Sequence, residues 1–121
     1  KMRIVIDLDG VICPIKKPEQ VYSDLKSLPG AVGRLRELRE MGHYIIIMTA
    51  RHMETCESNV GRVMKKMGKL TFDWLDYYGI EYDEVYFGKP NGEIYIDDRA
   101  IRFTHWDEIT DELLEKEAKL R

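Results

Sequence analysis

Cysteine is scarce in this chain of 121 residues: Cys13 and Cys56 are the two present. That number excludes a disulfide-dense scaffold and fits free thiols in a reducing compartment, so a cytoplasmic location is expected. Long apolar runs are also missing. The longest, Tyr44 to Met48, falls far short of the roughly 20 residues a membrane span needs, and a strand pattern begins at Arg3 with no signal-peptide pattern ahead of it. No excess of one charge exists either: 19 basic against 22 acidic side chains leave a net charge of −3, which offers nucleic acid no broad attractive field. Neither a membrane nor a nucleic acid is therefore expected as a partner.

A composition that is 44% hydrophobic and 34% charged excludes disorder and fits a globular protein. The length is near that of one ordinary domain, so residues 1–121 are expected to form a single domain. No repeat, low-complexity tract or linker divides the chain.

Short apolar runs alternate with helical patterns. Arg3 to Asp9 contains Ile4, Val5 and Ile6 without polar alternation, which predicts a strand covered on both faces; His43 to Thr49 repeats the design. Glu84 to Phe87 and Glu93 to Asp97 are two shorter strand candidates. Between the first two strands, Val32, Leu35, Leu38 and Met41 share one helical face, so Ala31 to Met41 is expected to be a crossover helix entered after Pro29 and closed by Gly42. A second helical face comprises Val60, Val63, Met64, Met67, Trp74, Leu75 and Tyr78, with Gly68 as an expected break and Gly79 as a stop. A C-terminal helix is expected over 107–121. Strand, helix, strand, helix, strand, strand, helix predicts an α/β, Rossmann-like three-layer domain with a mostly parallel central sheet.

Segment 11–29 has no sustained period, contains Pro14 and Pro18, and follows the first strand directly. Ligands in such folds bind at the carboxyl ends of the strands, so this segment is expected to overhang the site as a short flap. Cys13, Ile15, Val21 and Tyr22 are its candidates for a lid or an oligomer contact; an ordinary surface loop is the plain alternative.

Polar residues interrupt the strands at one end. Asp7 and Asp9 close the first strand, Thr49 the second, and Asp97 with Asp98 the last, which in a parallel sheet would deliver four carboxylates and a hydroxyl to one edge. Carboxylates so clustered repel one another unless a cation sits among them. Oxygen donors without thiolate or imidazole select a hard cation, and Mg²⁺ is expected. Each aspartate taken singly also fits a turn cap.

Asp7-Leu8-Asp9-Gly10-Val11 after an apolar strand, Thr49 after Ile45-Ile46-Ile47-Met48, Lys89 in Gly88-Lys89-Pro90, and Ile94-Tyr95-Ile96-Asp97-Asp98 occur in that order. In these four motifs the chain resembles the haloacid dehalogenase superfamily of phosphohydrolases. The wording Thr49-Ala50-Arg51 and Ile96-Asp97-Asp98-Arg99-Ala100 is most similar to its small phosphatases of capsular polysaccharide biosynthesis. The resemblance implies a Mg²⁺-dependent phosphomonoesterase with Asp7 as nucleophile and Asp9 as general acid and base. It further implies Thr49 and Lys89 on the transferred phosphoryl group, and Arg51 on the substrate. Mg²⁺ would be held by Asp7, the backbone carbonyl of Asp9, Asp97 and, through water, Asp98.

Asp9 supplies the proton an alkoxide leaving group needs, so dehalogenation is disfavoured; the Asp-Lys-Thr-Gly-Thr of the ATPase branch is missing. Only seven residues separate Lys89 from Asp97, too few for an intervening helix, and an extended link of five residues reaches about 17 Å. Lys65, Lys66 and Lys69 are the alternatives for the motif lysine. No cap domain fits the motif spacing. A small sugar or polyol phosphate is the expected substrate, with a neighbouring subunit as a further candidate roof over the cleft. A nucleotidase or polynucleotide 3′-phosphatase is the second enzyme reading. A phospho-receiver signalling domain is the non-enzyme one, disfavoured because here the last acidic pair follows both Thr49 and Lys89.

Overall fold

Isoleucines assemble the sheet. In the computed structural model, which describes residues 1–120, β1 (Arg3–Asp7), β2 (Tyr44–Thr49) and β3 (Glu84–Phe87) are parallel, in the order β1-β2-β3. Ile4 pairs with Ile45 and Ile6 with Ile47 across the first ladder, while Ile47 pairs with Val85 and Thr49 with Phe87 across the second. Side chains two apart share a face. Ile6, Ile45, Ile47, Thr49 and Phe87 accordingly line one buried face.

α1 (Ala31–Glu40) connects β1 to β2, and α2 (Val60–Tyr78) connects β2 to β3. Both crossovers step in one direction along the sheet, so right-handed connections place both helices on the same face. The buried face is theirs. On the other face Val5 is 58% exposed and Tyr86 55%, which departs from the coverage on both faces expected for the first strand. A continuous apolar run reports strand propensity; it does not report what packs on each side.

The chain is α/β with a parallel sheet, as expected, in a small Rossmann-like arrangement without a cap. It divides into two compact units, residues 1–91 and 92–121. The first holds the sheet, α1 and α2. The second holds α3 (Asp111–Lys119), whose start is capped by Thr110, its hydroxyl accepting from the Leu113 amide at 3.2 Å. Trp106 is buried and meets Phe103 with ring centroids 5.2 Å apart. The end of the expected C-terminal helix, Arg121, lies outside the described residues.

Two expectations are corrected. Glu93 to Asp97 forms no strand: the segment is irregular, Ile96 is 97% exposed, and no ladder pairs it. A strand needs a partner for its backbone groups, which a five-residue apolar pattern cannot reveal. Gly68 does not break the second helix, which runs unbroken as α2. Glycine weakens a helix interior by about 1 kcal/mol relative to alanine, and burial along this long helix outweighs that cost. The buried stripe is Val63, Met67, Thr71, Trp74 and Leu75, while Val60 and Met64 are partly exposed. Among the described residues no helix is long and apolar enough to cross a membrane.

Candidate active site

The carboxyl ends of β1 and β2 meet because their ladder continues one residue past β1, the Leu8 amide donating to the Met48 carbonyl at 3.1 Å. Leu8 then anchors a tight turn. Its carbonyl accepts the amides of Val11, Ile12 and Cys13, and Gly10 takes a φ of 92°, a left-handed value that favours glycine. Asp7 and Asp9 flank this anchored leucine.

Lys89 reaches the same place through Thr49. The Thr49 carbonyl accepts the amides of Gly88 (3.2 Å) and Lys89 (3.1 Å), which carries the chain leaving β3 back across the end of β2. Gly88 has a φ of 110°, and a Cβ there would lie 3.0 Å from Val60 Cγ2, so this approach requires glycine. Lys89 Nζ then stands 3.2 Å from Asp7 Oδ2, while Asp7 Oδ1 accepts the Leu8 amide at 3.0 Å.

Asp9 is held from the other side. Arg51 Nε lies 3.1 and 3.0 Å from its two carboxylate oxygens, and Nη2 is 2.9 Å from Oδ1. Thr49 Oγ1, 3.5 Å from Asp9 Oδ2, also accepts the Arg51 amide at 3.1 Å. The Arg51 side chain is 1% exposed, against 25% for Asp9. The expectation of a substrate contact or a surface position for Arg51 therefore meets a buried guanidinium that grips Asp9. Thr71, Cys13 and Tyr22 surround it.

Electrostatics follow from this packing. Burial, reinforced by the Asp9 carboxylate, pushes the Cys13 thiol up to about 12, so it remains protonated. Desolvation and the Asp9 charge raise the Tyr22 phenol in the same direction. His52 is held below its ordinary value by desolvation, with Lys66, Lys16 and Arg51 adding to the effect.

Segment 11–29 is pinned at several points. Ile12, Cys13 and Leu25 are buried, the Leu28 amide donates to the Ile12 carbonyl at 2.8 Å, and Trp74 Nε1 of α2 donates to the Leu25 carbonyl at 2.8 Å. Ile15 and Val21 project outward.

One unit, residues 1–91, therefore brings together Asp7, Asp9, Thr49, Arg51 and Lys89. Asp97 and Asp98 belong to the other unit. They lie in an exposed turn, where Asp97 Oδ1 accepts the Arg99 amide at 2.8 Å, the capping geometry that was the alternative reading of such residues. Among the described residues no three His, Cys, Asp or Glu side chains gather as a metal-holding group. The donors that are present suit a hard cation in kind: the Asp7 carboxylate and the Asp9 carbonyl are oxygen ligands, and the nearby Cys13 thiol is protonated.

Sequence reasoning did not single out Thr71. Its signal was available, since Thr71 is the polar member of the apolar series Met67, Thr71, Leu75.

No protein-family model matches the chain, and no curated protein does. Among solved structures, an MCSG target from Vibrio cholerae superposes with a TM-score of 0.81 at 32% identity, covering 99% of this chain and 96% of that one. The two proteins belong to one family. A D,D-heptose 1,7-bisphosphate phosphatase from B. bronchiseptica, solved with magnesium and phosphate, is more distant: TM-score 0.48, 17% identity, covering 77% of this chain and 51% of that one. The likeness to the Vibrio cholerae protein extends over nearly the full chain.

Proposed function

We propose that this protein is a phosphomonoester hydrolase of the haloacid dehalogenase type, working through an aspartyl-phosphate on Asp7. The observation that carries the reading is the placement of Lys89 Nζ 3.2 Å from Asp7 Oδ2, at the strand ends that also hold Asp9 and Thr49. A carboxylate backed by an ammonium can approach an anionic phosphoryl group, because the cation offsets their mutual repulsion.

In this reading an Asp7 oxygen forms a bond to phosphorus as the ester P–O bond breaks, and Asp9 delivers a proton to the departing alkoxide. Water then attacks the same phosphorus and gives its proton to Asp9. The Asp7–phosphorus bond breaks and inorganic phosphate leaves. Thr49 and Lys89 bind the phosphoryl oxygens in both steps. Mg²⁺ would be held by Asp7 and the Asp9 carbonyl, and would supply charge neutralisation between nucleophile and substrate.

The substrate is a small sugar or polyol phosphate, within capsular polysaccharide synthesis in the cytoplasm. An uncapped site leaves selection to segment 11–29 or to a second copy of the chain. Phosphate release from sugar phosphates, nucleotides and 3′-phosphorylated oligonucleotides, with and without Mg²⁺, tests this function. Hydrolysis of sugar phosphates that Asp7→Asn abolishes in a folded protein supports it. Release confined to nucleotides or oligonucleotides overturns the substrate class, and no release from any ester, or a long-lived phosphoryl adduct, overturns the hydrolase.

A further inference from the structure

We propose that Arg51 is a positioning residue for Asp9, and that the ring of Tyr22 in segment 11–29 holds Arg51 in that role. The proposal rests on the phosphatase reading above and changes what Arg51 does within it.

A substrate-binding arginine keeps donors free and solvent-reachable, and Arg51 does neither. Its Nε is shared between both oxygens of Asp9, its Nη2 reaches Asp9 Oδ1 and Cys13 Sγ (3.5 Å), and its Nη1 reaches Thr71 Oγ1 (3.3 Å). One donor on Nε, two on Nη2 and one on Nη1 account for four of the five N–H groups a guanidinium carries. With its side chain 1% exposed, Arg51 faces protein on nearly every side.

The group that gains from this arrangement is Asp9. A general acid must bring its proton within hydrogen-bonding distance of the leaving oxygen, and a carboxylate free to rotate does so only part of the time. The guanidinium fork engages both oxygens and fixes the carboxylate plane. Asp9 nevertheless keeps a quarter of its side chain exposed, against 1% for Arg51, so it is the member of the pair that a leaving group can reach.

Tyr22 completes the clamp. The Arg51 guanidinium carbon is 4.1 Å from the Tyr22 ring centroid, a cation–π stack against a guanidinium whose N–H groups are engaged by Asp9, Cys13 and Thr71. Tyr22 itself sits in a 3₁₀ turn, Tyr22–Asp24, closed by the Val21 amide donating to Asp24 Oδ2 at 2.9 Å. That turn is tied to α2 through the bond between Trp74 and the Leu25 carbonyl. The segment between Arg51 and α2 is strained: His52, Glu57 and Ser58 all take left-handed φ values, of 56°, 52° and 61°.

The test compares kcat and KM for Arg51→Lys, Tyr22→Leu and Tyr22→Phe, using the wild type's best phosphomonoester, with thermal unfolding measured alongside. A lysine cannot reproduce the fork, so Arg51→Lys should lower kcat roughly 10- to 100-fold with KM unchanged. Tyr22→Leu should lower kcat about five- to twentyfold, and Tyr22→Phe, which keeps the ring face, should restore most of it. A raised KM at wild-type kcat would show Arg51 holding substrate instead, and wild-type constants in Arg51→Lys and Tyr22→Leu would remove the clamp; either overturns the proposal. Absence of turnover in the wild type overturns the phosphatase reading itself. The Arg51 Nε–H resonance provides a readout independent of activity: it should move in Asp9→Asn and in Tyr22→Leu, and indifference to both would refute the clamp.

Discussion

Lys89 Nζ and Asp7 Oδ2 are 3.2 Å apart, and the backbone that makes this possible is held by a third residue, Thr49, whose carbonyl accepts the amides of both Gly88 and Lys89. Lys89 is only partly exposed, so its field at Asp7 is screened less than a surface pair's would be. Both side chains keep contact with water, so the ion pair adds only modestly to stability, on the order of 1 kcal/mol. Replacing Lys89 by Met should therefore leave the melting temperature nearly unchanged while kcat falls by roughly 10²- to 10³-fold, as for removal of one preorganised charge donor. Steady-state kinetics and a thermal melt on the same preparation check this. Retention of more than half the activity would return Lys65, Lys66 or Lys69 to consideration.

Gly88 should be as sensitive as the lysine it precedes, but in a different observable. An alanine there would keep a φ near 110° and place its Cβ 3.0 Å from Val60 Cγ2. Both effects oppose the native backbone, so Gly88→Ala should cost about 1–3 kcal/mol of stability. If the backbone shifts to relieve the clash, Lys89 moves with it and activity falls as well. Urea unfolding gives the first quantity and kinetics the second; a fully stable, fully active variant would show that the tight approach to Val60 is immaterial.

Much of this architecture is legible in the residues. The isoleucine runs specify β1 and β2, the spacing of Leu35 and Leu38 specifies the buried side of α1, and strand ends specify where Asp7, Asp9 and Thr49 lie. What is not legible depends on partners. The run Ile94-Tyr95-Ile96 has strand composition yet joins no ladder of the sheet, because hydrophobicity specifies a tendency to be covered and not the covering surface. Arg51 two residues beyond Thr49 reads as a substrate contact or a surface arginine, and its burial against Asp9 shows only in the folded chain. The fork on Asp9 is a tertiary contact between residues 42 apart, beyond the reach of any local pattern.

Cys13 tests the electrostatics of the site without requiring any substrate. Its thiol is buried and pushed up to about 12, first by desolvation and then by Asp9. Thiolate is the reactive form, so Cys13 should resist alkylation by iodoacetamide at pH 8 in the native protein. Cys56 is buried too, and both should react together once the chain unfolds in guanidinium. Mass spectrometry after timed labelling distinguishes the sites. Rapid native labelling of Cys13 would mean that segment 11–29 opens readily, which would weaken the role given to Tyr22.

Asp83 offers a prediction about pH. Its Oδ2 accepts the Ile45 amide at 2.7 Å at the start of β2, its own amide donates to the Ile45 carbonyl at 2.9 Å, and Arg39 Nη2 donates to Oδ1 at 3.0 Å. The Ile45 amide first, and Arg39 after it, hold the Asp83 carboxyl below its ordinary value of 3.8. A lowered folded-state value means that folding favours the ionised form, so this stabilisation is complete above the unfolded value and declines as pH falls through the folded one. Asp83→Asn removes the charge while keeping the shape, and should cost about 1–2 kcal/mol near neutral pH. The gap between wild type and Asp83→Asn should stay level down to about pH 4, where the unfolded carboxyl begins to protonate, and narrow progressively below it. Urea midpoints measured from pH 7 to pH 3 follow that gap. A gap that persisted unchanged to pH 3 would show that the side-chain oxygen acts as a neutral acceptor, with no contribution from its ionisation.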